Sequence, residues 1–116
     1  MLLLVDDDLL VRVLPRGIGD AVDVVTATSA LAAQAVLETC DIDVVATDFI
    51  LNGATGVGLL DWVRAHRARV GRVLFTGMPN VDDPGWAADC AHAVLAKPFT
   101  VAELLAAVTR VARQQR

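Results

Sequence analysis

The chain has 116 residues, 55% of them apolar, with a formal net charge of −4 and an isoelectric point near 4.9. That length suits one domain able to bury about two-thirds of its unfolded surface, and the apolar content excludes a disordered chain. The acidic balance argues against a nucleic-acid surface and favours a cation or a basic protein partner.

The opening run Met1–Val5 is stopped by Asp6, Asp7 and Asp8, so it is too short to cross a membrane. Leu2–Val5 reads instead as a buried strand. A first helix follows, and Pro15 would remove its bond to the Val11 carbonyl; the helix is therefore expected to end or kink near Leu14–Arg16, closed by Gly17 or Gly19. Val22–Thr26 reads as a second strand. Ser29 is the expected N-cap of an alanine-rich helix reaching Thr39. Val44–Thr47 is a third strand, and Asn52-Gly53 beyond it signals a turn. A helix over Val57–His66 would bury Leu59, Leu60 and Val63.

Arg72–Phe75 is the fourth strand. The fourth helix is expected to be short, from Asp83 or Pro84 to Cys90, because Gly85 just inside it is costly. Ala93–Leu95 is the fifth strand. The last helix is the clearest: Val101, Leu104, Leu105, Val108 and Val111 mark one buried stripe, Thr100 and Glu103 form a capping box, and Arg110, Arg113 and Arg116 suit its negative end. Cys40 and Cys90 have no zinc or CxxC spacing, and no signal peptide precedes them, so reduced cytoplasmic thiols are expected.

Strands apolar on consecutive positions, alternating with helices, imply a single α/β domain over residues 1–116. It is a (βα)5 doubly wound unit whose five-stranded parallel sheet has helices on both faces. Ligands bind such sheets beyond the carboxyl ends of the strands, at the topological switch point. Asp6 and Asp7 follow the first strand, Asp48 the third, Thr76 the fourth and Lys97 the fifth. With strand order 2-1-3-4-5, the three aspartates converge. Close carboxylates repel one another and call for a hard cation such as Mg2+. Thr76 adds a hydroxyl and Lys97 an ammonium, completing a set of groups suited to a tetrahedral phosphoryl group.

Taken singly, each piece has an ordinary reading. Asp6-Asp7-Asp8 could cap a helix, Asp48 could serve a turn, and Thr76 could simply end a strand. Lys97 resists that treatment, because it is the only lysine and lies between an apolar strand and Pro98-Phe99.

The stretches Leu3-Leu4-Val5-Asp6-Asp7-Asp8, Asp43–Asp48, Asn52-Gly53 with Gly56 and Leu59-Leu60, Val73-Leu74-Phe75-Thr76-Gly77 and Lys97-Pro98-Phe99 together resemble a response-regulator receiver domain along the whole chain. The resemblance implies the flavodoxin-like fold and a two-component signalling role. It implies Asp48 as phosphoacceptor, Asp7 as a direct Mg2+ ligand, Asp6 acting through water and the Ile50 carbonyl as a further ligand. Thr76 and Lys97 would hold the phosphoryl oxygens. A sensor histidine kinase or histidine phosphotransfer protein would be the donor. An effector or attached output domain would receive the signal through the face made by the fourth helix, fifth strand and fifth helix, which could also form a homodimer. Such a chain is a switch that catalyses its own phosphorylation and dephosphorylation rather than a metabolic enzyme.

Five residues depart from the family pattern. Val94 stands where an aromatic is usual, Asn52 where proline is common, Thr55 where an acid is common, and Pro84-Gly85 mark the fourth helix. Val94 and the atypical fourth helix support the alternative of a pseudo-receiver, an interaction module that does not cycle phosphate. Ile50 and Met78, apolar beside the site, cannot orient a water and predict slow loss of phosphate. A phosphatase of the haloacid-dehalogenase kind, suggested by Asp41-Ile42-Asp43, is excluded because that pair precedes its strand. Nucleotide binding lacks the glycine-rich loop it needs.

Overall fold

The computed structural model describes residues 1–6, 23–51, 54–76, 91–96 and 99–114, without the side chains of Ile50 and Ala54. Five strands form one parallel sheet: β1 (Leu2–Val5), β2 (Val24–Ala27), β3 (Val44–Asp48), β6 (Gly71–Thr76) and β7 (Ala93–Ala96). Their order is β2-β1-β3-β6-β7, the 2-1-3-4-5 arrangement of a doubly wound sheet. Two short strands, β4 (Ile50–Leu51) and β5 (Ala54–Thr55), pair antiparallel just beyond β3. Three helices are described, α1 (Ala30–Thr39), α2 (Gly56–His66) and α3 (Val101–Gln114). The first and fourth predicted helices, with Pro15, Pro84 and Gly85, lie outside the described residues.

Each face of the sheet carries its own core. Leu3, Val5, Val45 and Leu74 point to the face covered by α1, through Ala33 and Leu37, and by α2, through Leu59, Leu60 and Val63. Leu2, Leu4, Val44, Ala46, Val73 and Phe75 point to the other, covered by Leu104, Val108 and Val111 of α3. The inner strands β1 and β6 are buried at every position, β1 as an unbroken apolar run and β6 with Arg72 and Thr76 at either end of its apolar Val73–Phe75. The edge strands β2 and β7 are only partly buried.

Helix ends follow local chemistry. Ser29 Oγ accepts from the Ala32 amide at 3.1 Å, starting α1 where the sequence placed it. In α3 the capping box closes in both directions: the Glu103 amide donates to Thr100 Oγ1 at 3.0 Å, and the Thr100 amide donates to Glu103 Oε1 at 3.2 Å. Boundaries differ from the sequence expectation in several elements: β3 reaches Asp48, β6 spans Gly71–Thr76 and β7 reaches Ala96, each one residue longer at one end or both. The second strand is Val24–Ala27 rather than Val22–Thr26, because pairing with β1 sets Leu2 beside Val24 and Val5 beside Ala27. The third predicted helix begins at Gly56, because Thr55 caps it by accepting from the Gly58 amide at 3.1 Å.

The Met1 ammonium pairs with Asp43, but both groups are largely solvent-exposed (39% and 67%). An exposed pair contributes at most about 1 kcal/mol, less than burying one of the four apolar β1 side chains, about 1.5–3 kcal/mol each. Burial therefore places β1.

At the amino ends of β6 and β7, Arg72 and His92 form a latch. The Arg72 amide donates to His92 Nδ1 at 3.0 Å, and the His92 amide donates to the Arg72 carbonyl at 2.8 Å. The Arg72 guanidinium, which can only donate, also approaches the ring, at 3.3 Å from Nε2. Burial, and then the charge of Arg72, hold the His92 pKa below its ordinary 6.5.

Two predictions concern stability. Thr100→Ala should destabilise the fold by about 1 kcal/mol in urea denaturation, the usual cost of losing an N-cap side chain. His92 is held neutral, so its contribution is complete above pH 6.5 and is lost as pH falls through the lowered folded-state value. Urea midpoints measured from pH 8 to pH 5 should therefore fall more for wild type than for His92→Gln.

Candidate functional site

The pairing register aligns the carboxyl ends of the strands. Leu4 lies beside Ala46 and Val5 beside Thr47, so one further residue sets Asp6 next to Asp48, on strands about 4.8 Å apart. Both continue the face of Leu4 and Ala46. Asp48 pairs with Phe75, and Thr76 follows it at the end of β6. Thr76 in turn pairs with Ala96, the residue before Lys97. The sheet thus brings Asp6, Asp48 and Thr76 to one edge. Asp7 and Lys97 lie outside the described residues, as does Met78.

Asp6 is fully buried (0% exposed), and its amide donates to the Ala27 carbonyl at 3.1 Å. Thr76 is 2% exposed. Asp48 is partly buried, and its Oδ1 accepts from the Phe49 amide at 2.8 Å. That amide also points to the Phe75 carbonyl at 2.9 Å, so one N–H ties the carboxylate to the neighbouring strand. Thr47, fully buried, donates its hydroxyl to the Asp48 carbonyl at 3.1 Å.

Gly56 completes the support of Asp48. Its amide donates to the Phe49 carbonyl at 2.7 Å, drawing the start of α2 against the end of β3. A Cβ there would lie 2.0 Å from the Asp48 carbonyl oxygen and 2.9 Å from its carbon. Backbone on both sides leaves no room for adjustment, so only glycine fits. The sequence marked Gly56 as part of a motif; it did not reveal this contact, nor the role of Phe49. The Asn52-Gly53 pair between β4 and β5 is a hairpin signal, and reading it with the flanking apolar residues would have found those two strands.

Other sequence candidates fall elsewhere. Asp43 stands at the start of β3, about 16 Å along the strand from Asp48. A cavity of about 670 Å³ also lies at that amino end, among Asp43, Val44, Arg67, Val108 and Arg113. It does not touch Asp6, Asp48 or Thr76. Cys40 is a free, exposed thiol, and Cys90 lies outside the described residues. Val94 is half-buried and packs against the core beneath α1 and α2.

The doubly wound parallel sheet is shared with known proteins. The family model for the response regulator receiver domain matches residues 2–109. The chain belongs to this family. A receiver domain protein from Clostridium thermocellum superposes with a TM-score of 0.88 at 24% identity, over 98% of this chain and 94% of that one. An adenylate cyclase from Rhodopirellula baltica gives a TM-score of 0.91 at 24% identity, over 98% and 87%. NtrX from Brucella abortus gives 0.86 at 26% identity, over 98% of this chain but 27% of that chain. No curated protein matches significantly.

Receiver family members generally bind Mg2+, and oxygen-rich acids suit that hard cation. Asp6 and Asp48 provide two such groups on adjacent strands. Among the described residues no three metal-ligating side chains gather at one point, Asp7 lying outside them. No described helix is long and apolar enough to cross a membrane.

The Gly56 contact yields a prediction. Gly56→Ala should cost at least about 2 kcal/mol in urea denaturation, as overpacking against backbone does. Gly58→Ala meets only Thr55 Oγ1 at 3.3 Å, and should stay within about 1 kcal/mol of wild type.

Proposed function

We propose that this receiver is a phosphoacceptor that takes a phosphoryl group on Asp48 from the phosphohistidine of a sensor kinase or phosphotransfer protein. The observation that carries this reading is the alignment of Asp6, Asp48 and Thr76 at one edge of the sheet, with Lys97 the next residue after β7. In the transfer, an Asp48 carboxylate oxygen attacks phosphorus as the phosphorus–nitrogen bond breaks. The leaving histidine nitrogen keeps the bonding pair and takes up a proton. The Phe49 amide fixes the carboxylate orientation before the donor arrives.

The Thr76 hydroxyl and the Lys97 ammonium, at the ends of the next two strands, receive the phosphoryl oxygens. Asp7 and Asp48, the Ile50 carbonyl and Asp6 through water would hold Mg2+. Bound there, the ion supplies positive charge that offsets carboxylate and phosphoryl repulsion. The chain acts as one receiver unit and as a switch. Its output passes by conformational change to an effector or attached output domain, or to a second copy, through the face of the fourth helix, β7 and α3.

A second reading is favoured by one observation. Val94 places an aliphatic side chain where the family usually carries an aromatic, as a pseudo-receiver that does not cycle phosphate could. Intact mass after incubation with Mg2+ and acetyl phosphate separates the two. Wild type should gain one phosphoryl group, and Asp48→Ala or omission of Mg2+ should abolish the gain. An unmodified wild-type mass would favour the pseudo-receiver.

A further inference from the structure

The Phe75 and Phe99 rings meet with centroids 5.2 Å apart and planes tilted by 58°, a favourable aromatic geometry. Phe75 is fully buried in the core beneath α3, together with Leu4, Ala46, Leu104 and Val108; Phe99 packs against the same cluster. Three connections meet at Phe75. Its carbonyl accepts from the Phe49 amide, the group that also holds the Asp48 carboxylate. Its own peptide continues into Thr76. Its ring touches Phe99, two residues beyond Lys97 and one before Thr100, whose capping box starts α3. On the opposite face, Val94 offers only an aliphatic contact.

We propose that the Phe75–Phe99 contact couples the acceptor site to the amino end of α3. The proposal rests on the phosphoacceptor reading. When Thr76 moves toward a phosphoryl oxygen, the Phe75 backbone moves with it. A close-packed interior transmits such a displacement instead of absorbing it, so Phe99 is pushed. Phe99 is joined directly to Thr100, and the capping box and Leu104 shift in turn. The aromatic element is thus relocated from the strand position of Val94 to the face beneath α3. Both phenylalanines are positioning residues, acting through Thr76 and α3 without touching the phosphate.

Amide spectra recorded with Mg2+ and acetyl phosphate, alongside intact mass, test the coupling. In wild type the Thr100, Glu103 and Leu104 amides should move as the adduct forms. Phe99→Leu should still form the adduct while those three amides lose their response, and Phe99→Tyr, which keeps the ring, should restore it. An adduct on Phe99→Leu with the response intact overturns the proposal. A ring that only fills the core would not give this pattern. Should Phe99→Leu fail to fold, Phe75→Leu removes the same contact. Failure of wild type to form any adduct counts against the phosphoacceptor reading instead. A phosphate-free arm then decides the coupling: Thr76→Ala should perturb the Thr100 and Glu103 amides in wild type and leave them unmoved when combined with Phe99→Leu. Equal perturbation in both backgrounds overturns the coupling.

Discussion

Parallel pairing in continuous register across β1, β3, β6 and β7 is the constraint on which the rest of the molecule depends. A strand delivers its next residue to a set height above the sheet, and neighbouring strands lie about 4.8 Å apart. Asp6, Asp48 and Thr76 are far apart in the chain, yet none needs a long loop to reach the others. Slipping β3 by one residue would turn Asp48 to the other face and exchange the two cores. The register is held because Val44 and Ala46 fit one core, while Val45 fits the other.

Backbone groups help to secure Asp48. The Phe49 amide binds its carboxylate, the Gly56 amide anchors the following turn, and the absent side chain at Gly56 lets α2 press on the Asp48 carbonyl. Such support is rigid, because backbone at both ends of the contact has little room to adjust. At the start of α2, Thr55 occupies a position where the family commonly has an acid, and its hydroxyl serves as the N-cap.

Polar chemistry is divided between the ends of the sheet. The carboxyl end carries the aligned acids and Thr76. The amino end carries the Arg72–His92 latch, the exposed Met1–Asp43 pair and an arginine-lined cavity. Burial of the latch disfavours protonation of His92. Between the two ends lie apolar layers, and the Phe75–Phe99 contact sits in the layer between the sheet and α3.

By itself, the sequence determined the strand–helix alternation, the doubly wound sheet, the helix caps at Ser29 and Thr100 and the residues expected at its carboxyl edge. These features are local or periodic: consecutive apolar residues declare strands buried on both faces, Ser29 and Thr100 declare helix starts, and a polar residue after each strand declares the edge. Tertiary structure alone decided what depends on distant segments meeting. Pairing with β1 moved the second strand to Val24–Ala27. The 2.0 Å approach to the Asp48 carbonyl gave Gly56 its reason, and the packing of α3 on β6 brought Phe99 against Phe75. None of these has a sequence period, because each is a contact across the sheet or between a helix and a strand. A chain read one residue at a time carries no record of which backbones will touch.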